Sequence, residues 1–438
     1  MPLACIGFGL FEGSLPNEGG PALRMSRVIG EVVGGQGLIV EGVDLDTETV
    51  KVKGEADRLV EVLVFSVRPY ASDKGKCSRC LRRCPGYDDG GGSRRWRTLD
   101  VGTTKAYLKA RTARVQCPEH GVVVAAVPWA RPGSKCTYSL EDTCAWLAAH
   151  TALSVLAVFL RLSWRSVAAI VVRVVADRAG KTDQLEGLRR IGVDEISYRK
   201  GHRYLTVVVD HDTGRMVWAH EGRNKVTLEK FFTALGVSRS HLLTHVSADG
   251  AEWIHTVVAE KAPNAVLCLD PFHVVMWAMK ALDKVRARTV SAAGGRRDRY
   301  LMWATRKNPE DLTAGQATSL ADLENLNAEL YRAYLLKEQL REIFRVKGAQ
   351  GHTLLAGWIE MAGNCGIAEF QKLCSSIKKF RTLIGNTLDH NVTNARSEST
   401  NTHIRALTKR AYGYHSPDAL IGMAMLTRGG LCPPLPGR

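Results

Sequence analysis

The stretch between residues 191 and 269 constrains the fold more than any other part of this sequence. Its apolar runs predict seven elements. They are three strands at 191–196, 204–210 and 216–220, a helix at 226–235, a strand at 242–248, a helix at 253–261 and a strand at 265–269. Turn residues from His211 to Gly214 separate the second strand from the third. Three strands followed by alternating helices and strands are typical of a mixed α/β sheet, which we predict at the centre of the chain.

Helical patterns lie on both sides of this sheet. Residues 272 to about 390 are almost wholly helical in pattern, and three shorter helical segments precede the sheet, at 139–149, 153–160 and 164–175. The last two have the proportions of a helix-turn-helix, in which Arg165 and Arg173 would project from the second helix toward DNA. A plain helical hairpin between two domains explains the same pattern.

Two short motifs of soft ligands predict a zinc site. Two residues separate Cys77 from Cys80, and two separate Cys117 from His120. Such a spacer lets two ligands reach one tetrahedral ion from a tight turn, and the second pair completes the site. Basic strand patterns between the pairs favour a zinc ribbon. Cys84 could replace one ligand, and free thiols are the alternative to a metal site.

The other cysteines do not indicate a disulfide framework. The chain has eleven cysteines, an odd number, and residues 1–24 lack the pattern of a signal peptide. Reduced thiols in a cytoplasm fit these features better than disulfides do. The most apolar stretch, residues 146–160, is short and interrupted by polar residues, which argues against a membrane span. We therefore expect a cytoplasmic protein with no membrane partner.

The charge of the chain favours a polyanionic partner. The formal net charge is +16, and it is uneven, because residues 1–76 are net acidic whereas the rest is strongly basic. Lys and Arg side chains that neutralise phosphates release condensed counterions, so such a balance is typical of proteins that bind nucleic acids. A merely basic soluble protein has the same balance, and charge alone does not separate the two.

Two aspartates in the predicted sheet are candidate metal ligands. Asp194 lies within an apolar strand, and Asp249 directly follows another. An acid beside apolar residues costs free energy unless a cation accompanies it. Mg²⁺ and Mn²⁺ accept hard oxygen ligands and keep positions for water and phosphate. Glu195 points to the opposite face of the strand and is the weaker candidate, and Asp210 is interpreted as a turn carboxylate.

A third candidate acid, Glu398, lies near the start of a predicted helix that runs toward Arg410. At about 100° per residue, Arg405 and Lys409 fall within about 20° of Glu398 around the helix axis. One helix face would then carry a metal-binding acid followed by cations that bind phosphates. A solvated surface helix explains the same charges.

The motifs, taken in order, resemble one known family. They are CSRC at 77–80, CPEH at 117–120, GVDE at 192–195, SADG at 247–250, DPFHV at 270–274 and NARSESTN at 394–401. Their order, between Cys77 and Gly422, is similar to that of the ISL3 family of bacterial insertion-sequence transposases. The family usually has glycine after the glutamate of the last motif, where this chain has Ser399.

The resemblance implies a zinc-binding domain, a helix-turn-helix and an RNase H-like core with a DDE triad interrupted by a helical insertion. Matched motif by motif, the catalytic acids would be Asp194, Asp249 and Glu398. Asp270 and His273 would support the active site or contact a DNA strand; a strand-end cap and a helix-start residue are the alternative for this pair. Two Mg²⁺ or Mn²⁺ ions, about 3.5–4 Å apart, would bind the triad.

The same resemblance implies how the protein would act. Strand cleavage and strand transfer would proceed without a covalent enzyme–DNA link. The zinc ribbon and the helix-turn-helix would bind double-stranded DNA at the terminal inverted repeats, and Arg405, Lys409 and Arg410 would contact phosphates. A homodimer or larger assembly on DNA, associated with the bacterial nucleoid, is expected. A DNA-binding regulator that no longer cuts and an RNase H-like structure-selective nuclease are the alternatives.

These interpretations combine into one predicted domain organisation. The fold class is multidomain α/β, with an RNase H-like mixed sheet and an all-helical insertion behind a zinc ribbon and a helix-turn-helix. The predicted segments are a flexible leader (1–36), an N-terminal β-rich segment (37–76), the zinc ribbon (77–136), the helix-turn-helix (137–178), the catalytic domain in two parts (191–274 and 391–425) and the helical insertion (275–390).

Overall fold

A computed structural model describes residues 25–35, 37–50, 56–199, 201–292, 299–411 and 413–437. The contacts divide the chain into two compact units. The first runs up to Thr143 and includes the residues from Pro434, and the second runs from Cys144 to Pro433. The predicted zinc motifs fall in the first unit and the predicted catalytic motifs in the second.

The first unit begins with a helix and then is mostly β-structure. Helix α1 spans Met25–Val32. The strands are β1 (Leu38–Val50), β2 (Arg58–Pro69), β3 (Gly86–Asp88), β4 (Ser93–Arg97), β5 (Lys105–Arg111), β6 (Arg114–Cys117) and β7 (Gly121–Val124). They form a four-stranded sheet in the order β1-β2-β5-β4 and a three-stranded sheet in the order β3-β6-β7. Helix α2 (Tyr138–His150) follows.

Two features of this unit differ from the sequence-based prediction. A flexible leader was predicted over residues 1–36, but residues 25–32 form α1, whose following residue Val33 is fully buried and accepts a hydrogen bond of 2.7 Å from Thr98 Oγ1. Residues 1–24 and 36 lie outside the described part. The basic strands β4 and β5, between the two ligand pairs, join β2 rather than the sheet of the cysteines, because β5 pairs in parallel with β2.

The second unit opens with the predicted helix-turn-helix. Helices α3 (Leu153–Phe159) and α4 (Trp164–Ala179) meet at 103°, within the range of about 90–120° that such motifs have. The turn lacks the usual glycine, and Arg161 adopts the left-handed conformation instead, with φ of 52°. Of the helices in the described residues, none could by itself cross a membrane by length and composition, although the bent pair α3–α4 passes that test jointly.

The centre of the second unit is one five-stranded sheet. Its strands are β8 (Arg190–Arg199), β9 (Arg203–Asp210), β10 (Met216–Glu221), β11 (His245–Ala248) and β12 (Val266–Leu269). Their order is β10-β9-β8-β11-β12, in which β9 is antiparallel to both neighbours and β11 is parallel to both of its own. This is the RNase H-like arrangement, as predicted.

Helices cover both faces of this sheet. Between β10 and β12 lie α5 (Lys225–Leu235), α6 (Val237–Ser240) and α7 (Glu252–Lys261), and the buried residues of α5 and α7 share one apolar cluster with Val193, Val208 and Val246 of the sheet. The predicted helical insertion then contains α8 (Pro271–Ala292), α9 (Arg299–Arg306), α10 (Ala314–Leu326), α11 (Ala328–Ile343), α12 (Gly348–Gly363), α13 (Ala368–Lys379) and α14 (Arg381–His390).

Two final helices return the chain to the sheet. They are α15 (Ala395–Arg410) and α16 (Pro417–Arg428). Helix α15 packs on β8 and β9, and α16 packs on β10 and α4. Because side chains alternate along a strand, and Val193 belongs to the cluster on the α5–α7 side, its neighbours on β8 face α15. The face under α15 therefore receives the predicted catalytic residues.

Candidate active site and zinc cluster

Asp194 and Asp249 lie side by side on neighbouring strands. Asp194 is in β8, and Asp249 directly follows β11. These strands pair in parallel, with Ser247 opposite Gly192. Continuing that register by two residues brings Asp249 beside Asp194. Strand alternation places both on the face covered by α15, opposite the apolar cluster that contains Val193.

Asp270 extends this row to the third parallel strand. It directly follows β12, and its N–H donates to the carbonyl of Ala248 at 2.9 Å. Its carboxylate is buried and bonds with His273 Nδ1 at 2.9 Å and with the N–H of Asn394 at 3.4 Å. Burial opposes a charged imidazole. The hydrogen bond to Asp270 and the charges of Asp270, Asp194 and Asp249 outweigh this effect and raise the pKa of His273. Asp270 and His273 of the DPFHV motif therefore lie next to Asp194 and Asp249 in the structure.

Glu398 reaches this face in the first turns of α15. A Cβ atom on Gly192 would lie 2.3 Å from Ser397 Oγ and 2.5 Å from Asn394 Oδ1. No side chain fits between the strand and the helix at this point, so the glycine is required for their close approach. The helix turn that carries Glu398 is therefore held against the strand that carries Asp194.

Two asparagines, Asn394 directly before α15 and Asn401 within it, connect the helix to the sheet. Asn401 Nδ2 donates to Asp194 Oδ2 at 2.8 Å, which fixes the orientation of that buried carboxylate. Asn394 Oδ1 accepts from Ser247 Oγ at 2.9 Å, and Ser247 is in turn 2.6 Å from His211 Nε2. A buried polar network therefore ties β11 and the end of β9 to the start of α15.

The sequence analysis missed the residues of this network. Asn394, Ser397 and Asn401 are all buried, and they follow one another at intervals of three and four residues. That spacing marks one face of a helix, but polar residues at core spacing are easily taken for a solvated surface. Two sequence features could have indicated this network. They are the polar residues at helical spacing on both sides of Glu398 and the glycine at position 192 of the predicted strand.

Burial and like charges disfavour ionisation of the acids. Burial, and then repulsion from Asp249 and Asp270, raise the pKa of Asp194 to about 6, although the N–H of Glu195 and the charge of His273 oppose the shift. Burial and the charge of Asp270 also raise the pKa of Glu398. The surroundings of Asp194 and Glu398 therefore favour the neutral form of each carboxyl group more than water does.

Two further acids, Glu195 and Asp210, have partners of their own in the structure. Glu195 points away from α15 and forms an ion pair with Arg223, whose guanidinium lies 4.9 Å from the centre of the Tyr204 ring. Burial and the charge of Asp249 nevertheless raise the pKa of Glu195 to about 7. Asp210 is a turn carboxylate, as predicted, because it accepts hydrogen bonds from backbone N–H groups of the following turn.

The predicted zinc ligands form a closed group in the first unit. Among the described residues, one group of three or more His, Cys, Asp or Glu side chains has all its ligand atoms within 4.8 Å of one another. This group is Cys77, Cys80, Cys117 and His120. The Cys80–Cys117 Sγ atoms are 3.7 Å apart, and His120 Nδ1 lies 3.8 Å from Cys77 Sγ and 3.4 Å from Cys117 Sγ. Tetrahedral bonds of about 2.0–2.3 Å produce edges of about this length, so the residues fit zinc.

The backbone around these ligands suits thiolates. Although burial opposes it, the N–H groups of Glu119 and His120 and the neighbouring thiols lower the pKa of Cys117 to about 7. Cys84, the alternative ligand, is buried beside the group but bonds to the carbonyl of Arg82 at 3.4 Å and is not a member of it. By contrast, the carboxylate oxygens of the three predicted catalytic acids do not all lie within 4.8 Å of one another, so these acids do not form a closed ligand shell.

The predicted DNA-binding cations occupy two places in the second unit. Arg405 and Lys409 are exposed on α15, and the charge of Arg405 lowers the pKa of Glu398 against the larger effect of burial. Arg165, Arg173 and Arg410 line a cleft beside α4. The helix that carries Glu398 therefore also carries exposed cations along its length.

This sheet order, with Asp194 within β8, Asp249 and Asp270 directly after β11 and β12, and an all-helical insertion before the helix of Glu398, is that of an RNase H-like transposase of the DDE class. The profile of the ISL3 transposase domain, described as "Transposase", matches residues 191–424. Profiles for the zinc finger of IS204/IS1001/IS1096/IS1165 transposases and for the helix-turn-helix domain of the ISL3 family match residues 73–120 and 125–175. The chain belongs to the ISL3 family of transposases.

Two curated relatives agree with this assignment. The chain is 47% identical over 405 residues to the transposase for insertion sequence element IS1557 of Mycobacterium tuberculosis, covering 86% of this chain and 90% of the relative. It is 25% identical over 352 residues to the transposase for insertion sequence element IS1001 of Bordetella parapertussis, covering 78% and 86%.

Proposed function

We propose that this protein transposes an insertion sequence by cutting and joining DNA at the ends of its own element, and that Asp194, Asp249 and Glu398 are its catalytic acids. One observation carries the proposal. The packing of α15 on β8 at Gly192 brings the helix turn with Glu398 to the strand with Asp194. The names of the relatives support the reaction, since both are transposases of insertion sequences.

The same acids suit divalent cations. Carboxylate oxygens are the hard ligands that Mg²⁺ and Mn²⁺ prefer, and the raised pKa values of Asp194 and Glu398 mark a place where added positive charge would relieve repulsion. When bound, two such ions would supply activation of the attacking hydroxyl group and stabilisation of the leaving 3′ oxygen. Asp194, Asp249 and Glu398 would hold them, and Asn401 would orient Asp194.

Other side chains would bind and position the DNA. Helix α4, with Arg165 and Arg173, would contact the terminal inverted repeat, and the exposed Arg405 and Lys409 would bind phosphates along the strand that enters the site. His273, whose pKa Asp270 raises, would supply positive charge beside the acids. The zinc cluster would stabilise the first unit, and two or more copies would hold the paired ends.

A cleavage assay tests the catalytic assignment. A labelled duplex with the end of the element is incubated with the wild-type protein and Mg²⁺ or Mn²⁺, in parallel with Asp194→Asn, Asp249→Asn and Glu398→Gln. Each variant keeps the size of the side chain and removes a charged ligand, so we expect cleavage to fall by on the order of 10³-fold while duplex binding stays within about twofold. Asp322→Asn, an exposed acid on α10, is the matched control.

Each result has a definite meaning. Loss of cleavage in the three variants, with binding and the control unaffected, supports the triad. Cleavage by any one of them at the wild-type rate removes that acid from the site. A wild-type protein that binds the ends but cuts with neither metal would instead favour a DNA-binding regulator.

A further inference from the structure

A cleft of about 1170 Å³ opens beside α4 in the second unit. Its walls are one face of α4, the last residues of β8 and the segment 413–416 that follows α15. The opposite face of α4 is buried through Val167, Ile170 and Val174. The volume exceeds that of pockets that hold molecules of a few hundred daltons, about 300–1,000 Å³, so the cleft can hold more than one nucleotide.

The charge of the cleft is entirely of one sign. Four arginines line it, Arg165 and Arg173 on α4, Arg199 at the end of β8 and Arg410 at the end of α15. Among the described lining residues there is no aspartate and no glutamate. Such a concave positive surface attracts and concentrates a polyanion.

Aromatic and small side chains alternate with these cations. Trp164 stacks on His415 at a ring distance of 4.6 Å and an interplanar angle of 27°, and about half of Trp164 remains exposed. Between Arg165 and Arg173, the helix presents only Ala168, Ala169 and Val172 to the cleft. Small residues leave room above the helix for a flat ring beside the aromatic pair.

Two elements connect the cleft to the acids. Arg199 follows Asp194 by five residues on β8, which corresponds to about 17 Å at the usual rise of a strand. Arg410 follows Glu398 by twelve residues on α15, which corresponds to about 18 Å. Both paths lead from the acids to the same cleft over a similar length, equal to about five stacked nucleotides at 3.4 Å each.

We propose that this cleft binds single-stranded DNA, namely the unpaired strand next to the cleavage point, with its phosphates on Arg199 and Arg410 and a base against the Trp164–His415 pair. A positive groove with aromatic platforms is the arrangement that binds single strands. A duplex exposes only the edges of its bases, so ring faces are available for stacking only where the strands have separated. The proposal rests on the proposed function, because it assigns the ligand to the DNA that the enzyme cuts.

Binding measurements with two probes test the proposal. One probe is a labelled single strand of about twelve thymidines, and the other is the duplex end of the element. The variants are Arg199→Ala, at the end of β8, and His415→Ala, which removes the ring that stacks on Trp164. Arg332→Ala, an exposed arginine on α11 outside the cleft, is the matched control.

We expect each cleft variant to weaken binding of the single strand by about fivefold to tenfold, which for His415→Ala is the lower part of the range for loss of a stacked base. Arg199→Ala should also reduce the dependence of log K on log salt by about 0.7, the value for one phosphate of a single strand. Duplex binding should change by less than about twofold, and Arg332→Ala should leave both probes unaffected.

Equal losses on the two probes would overturn the proposal, since the cleft would then be part of the duplex interface. Unchanged binding of the single strand by both variants would also overturn it. Zinc content and circular dichroism identify a misfolded variant, and His415→Tyr, which keeps a stacking ring, should restore most of the binding. A wild-type protein that binds the single strand but neither binds nor cuts the duplex end would reject the proposed function and leave the cleft assignment standing.

Discussion

The two predicted metal sites of this chain are built in opposite ways. The zinc cluster takes its four ligands from two tight turns, and their ligand atoms lie within 4.8 Å of one another. The acids come from three distant parts of the chain, Asp194, Asp249 and Glu398, and are brought together by the register of the sheet and by the packing of α15. The first site is local, whereas the second depends on the whole fold of its unit.

The pKa shifts of the ligands also differ between the zinc cluster and the acid site. Backbone N–H groups lower the pKa of Cys117 to about 7, so that its turn favours the thiolate that zinc binds. Burial raises the pKa of Asp194 to about 6, so that its surroundings disfavour the charged form. A structural ion is thus bound by ligands already arranged for it. A catalytic site keeps its acids apart and leaves coordination positions for water and phosphate.

The largest expected effect concerns the local site. Cys80→Ser should release about one zinc ion per chain and unfold the three-stranded sheet, because structural zinc contributes directly to folding, by about 10–16 kcal/mol in zinc-finger peptides. Native mass spectrometry measures the zinc content, and limited proteolysis measures the order of residues 77–120.

Cys84→Ser is the matched control for this prediction. Cys84 is buried beside the ligands but bonds to a backbone carbonyl, so its loss should leave the zinc in place. If Cys84→Ser released zinc while His120→Asn retained it, Cys84 would be the fourth ligand. Retention of zinc by Cys80→Ser would contradict the cluster altogether.

A smaller effect is expected from the support of the acids. Asn401→Ala removes the hydrogen bond to Asp194, so the carboxylate would lose its fixed orientation while remaining in place. Loss of such a supporting partner typically costs about 10–100-fold in metal affinity or activity. We expect cleavage to fall by that factor and to recover in part at higher Mg²⁺, as measured by a metal titration of the cleavage rate.

Thr402→Ala, the exposed neighbour on α15, separates this role from a general weakening of the helix. It should leave both the rate and the Mg²⁺ dependence unchanged. If Asn401→Ala lowered the rate equally at all metal concentrations, Asn401 would not act through Asp194, and the acid site would not depend on this supporting hydrogen bond.

The sequence predicted the local features of both sites. The spacing predicted the two ligand pairs of the zinc cluster, since each pair lies within one turn, and left Cys84 as an alternative ligand. Every strand of the five-stranded sheet was predicted, because strand periodicity is a property of short segments. The prediction of Asp249 as a strand-end acid required only the apolar run before it. The RNase H-like order itself came from the resemblance of the motifs to the family.

Features that depend on pairing between distant segments could not be predicted. Nothing in the sequence states that β5 pairs with β2, nor that Gly192 must lack a side chain because Ser397 lies against it. The link from Asn401 to Asp194 joins residues 207 positions apart. Arg199 has no motif at all, and it becomes a candidate ligand only when the fold places it opposite α4.

The smallest expected effect concerns the cations on α15, the helix that carries Glu398. Lys409 is exposed and lies on nearly the same side of the helix as Glu398. If it binds one phosphate of the duplex end, Lys409→Ala should reduce the dependence of log K on log salt by about 0.9. Between 50 and 200 mM salt, the wild-type protein would then lose about threefold more affinity than the variant, which fluorescence anisotropy resolves.

Lys372→Ala, an exposed lysine on α13, removes the same charge outside the predicted DNA contacts and should leave the salt dependence unchanged. Equal slopes for the wild-type protein and Lys409→Ala would place this end of α15 away from the duplex. A reduced slope with an unchanged cleavage rate at saturating protein would show that α15 has two separable parts. Its first turns would complete the acid site, and its last turns would contribute only to the hold on DNA.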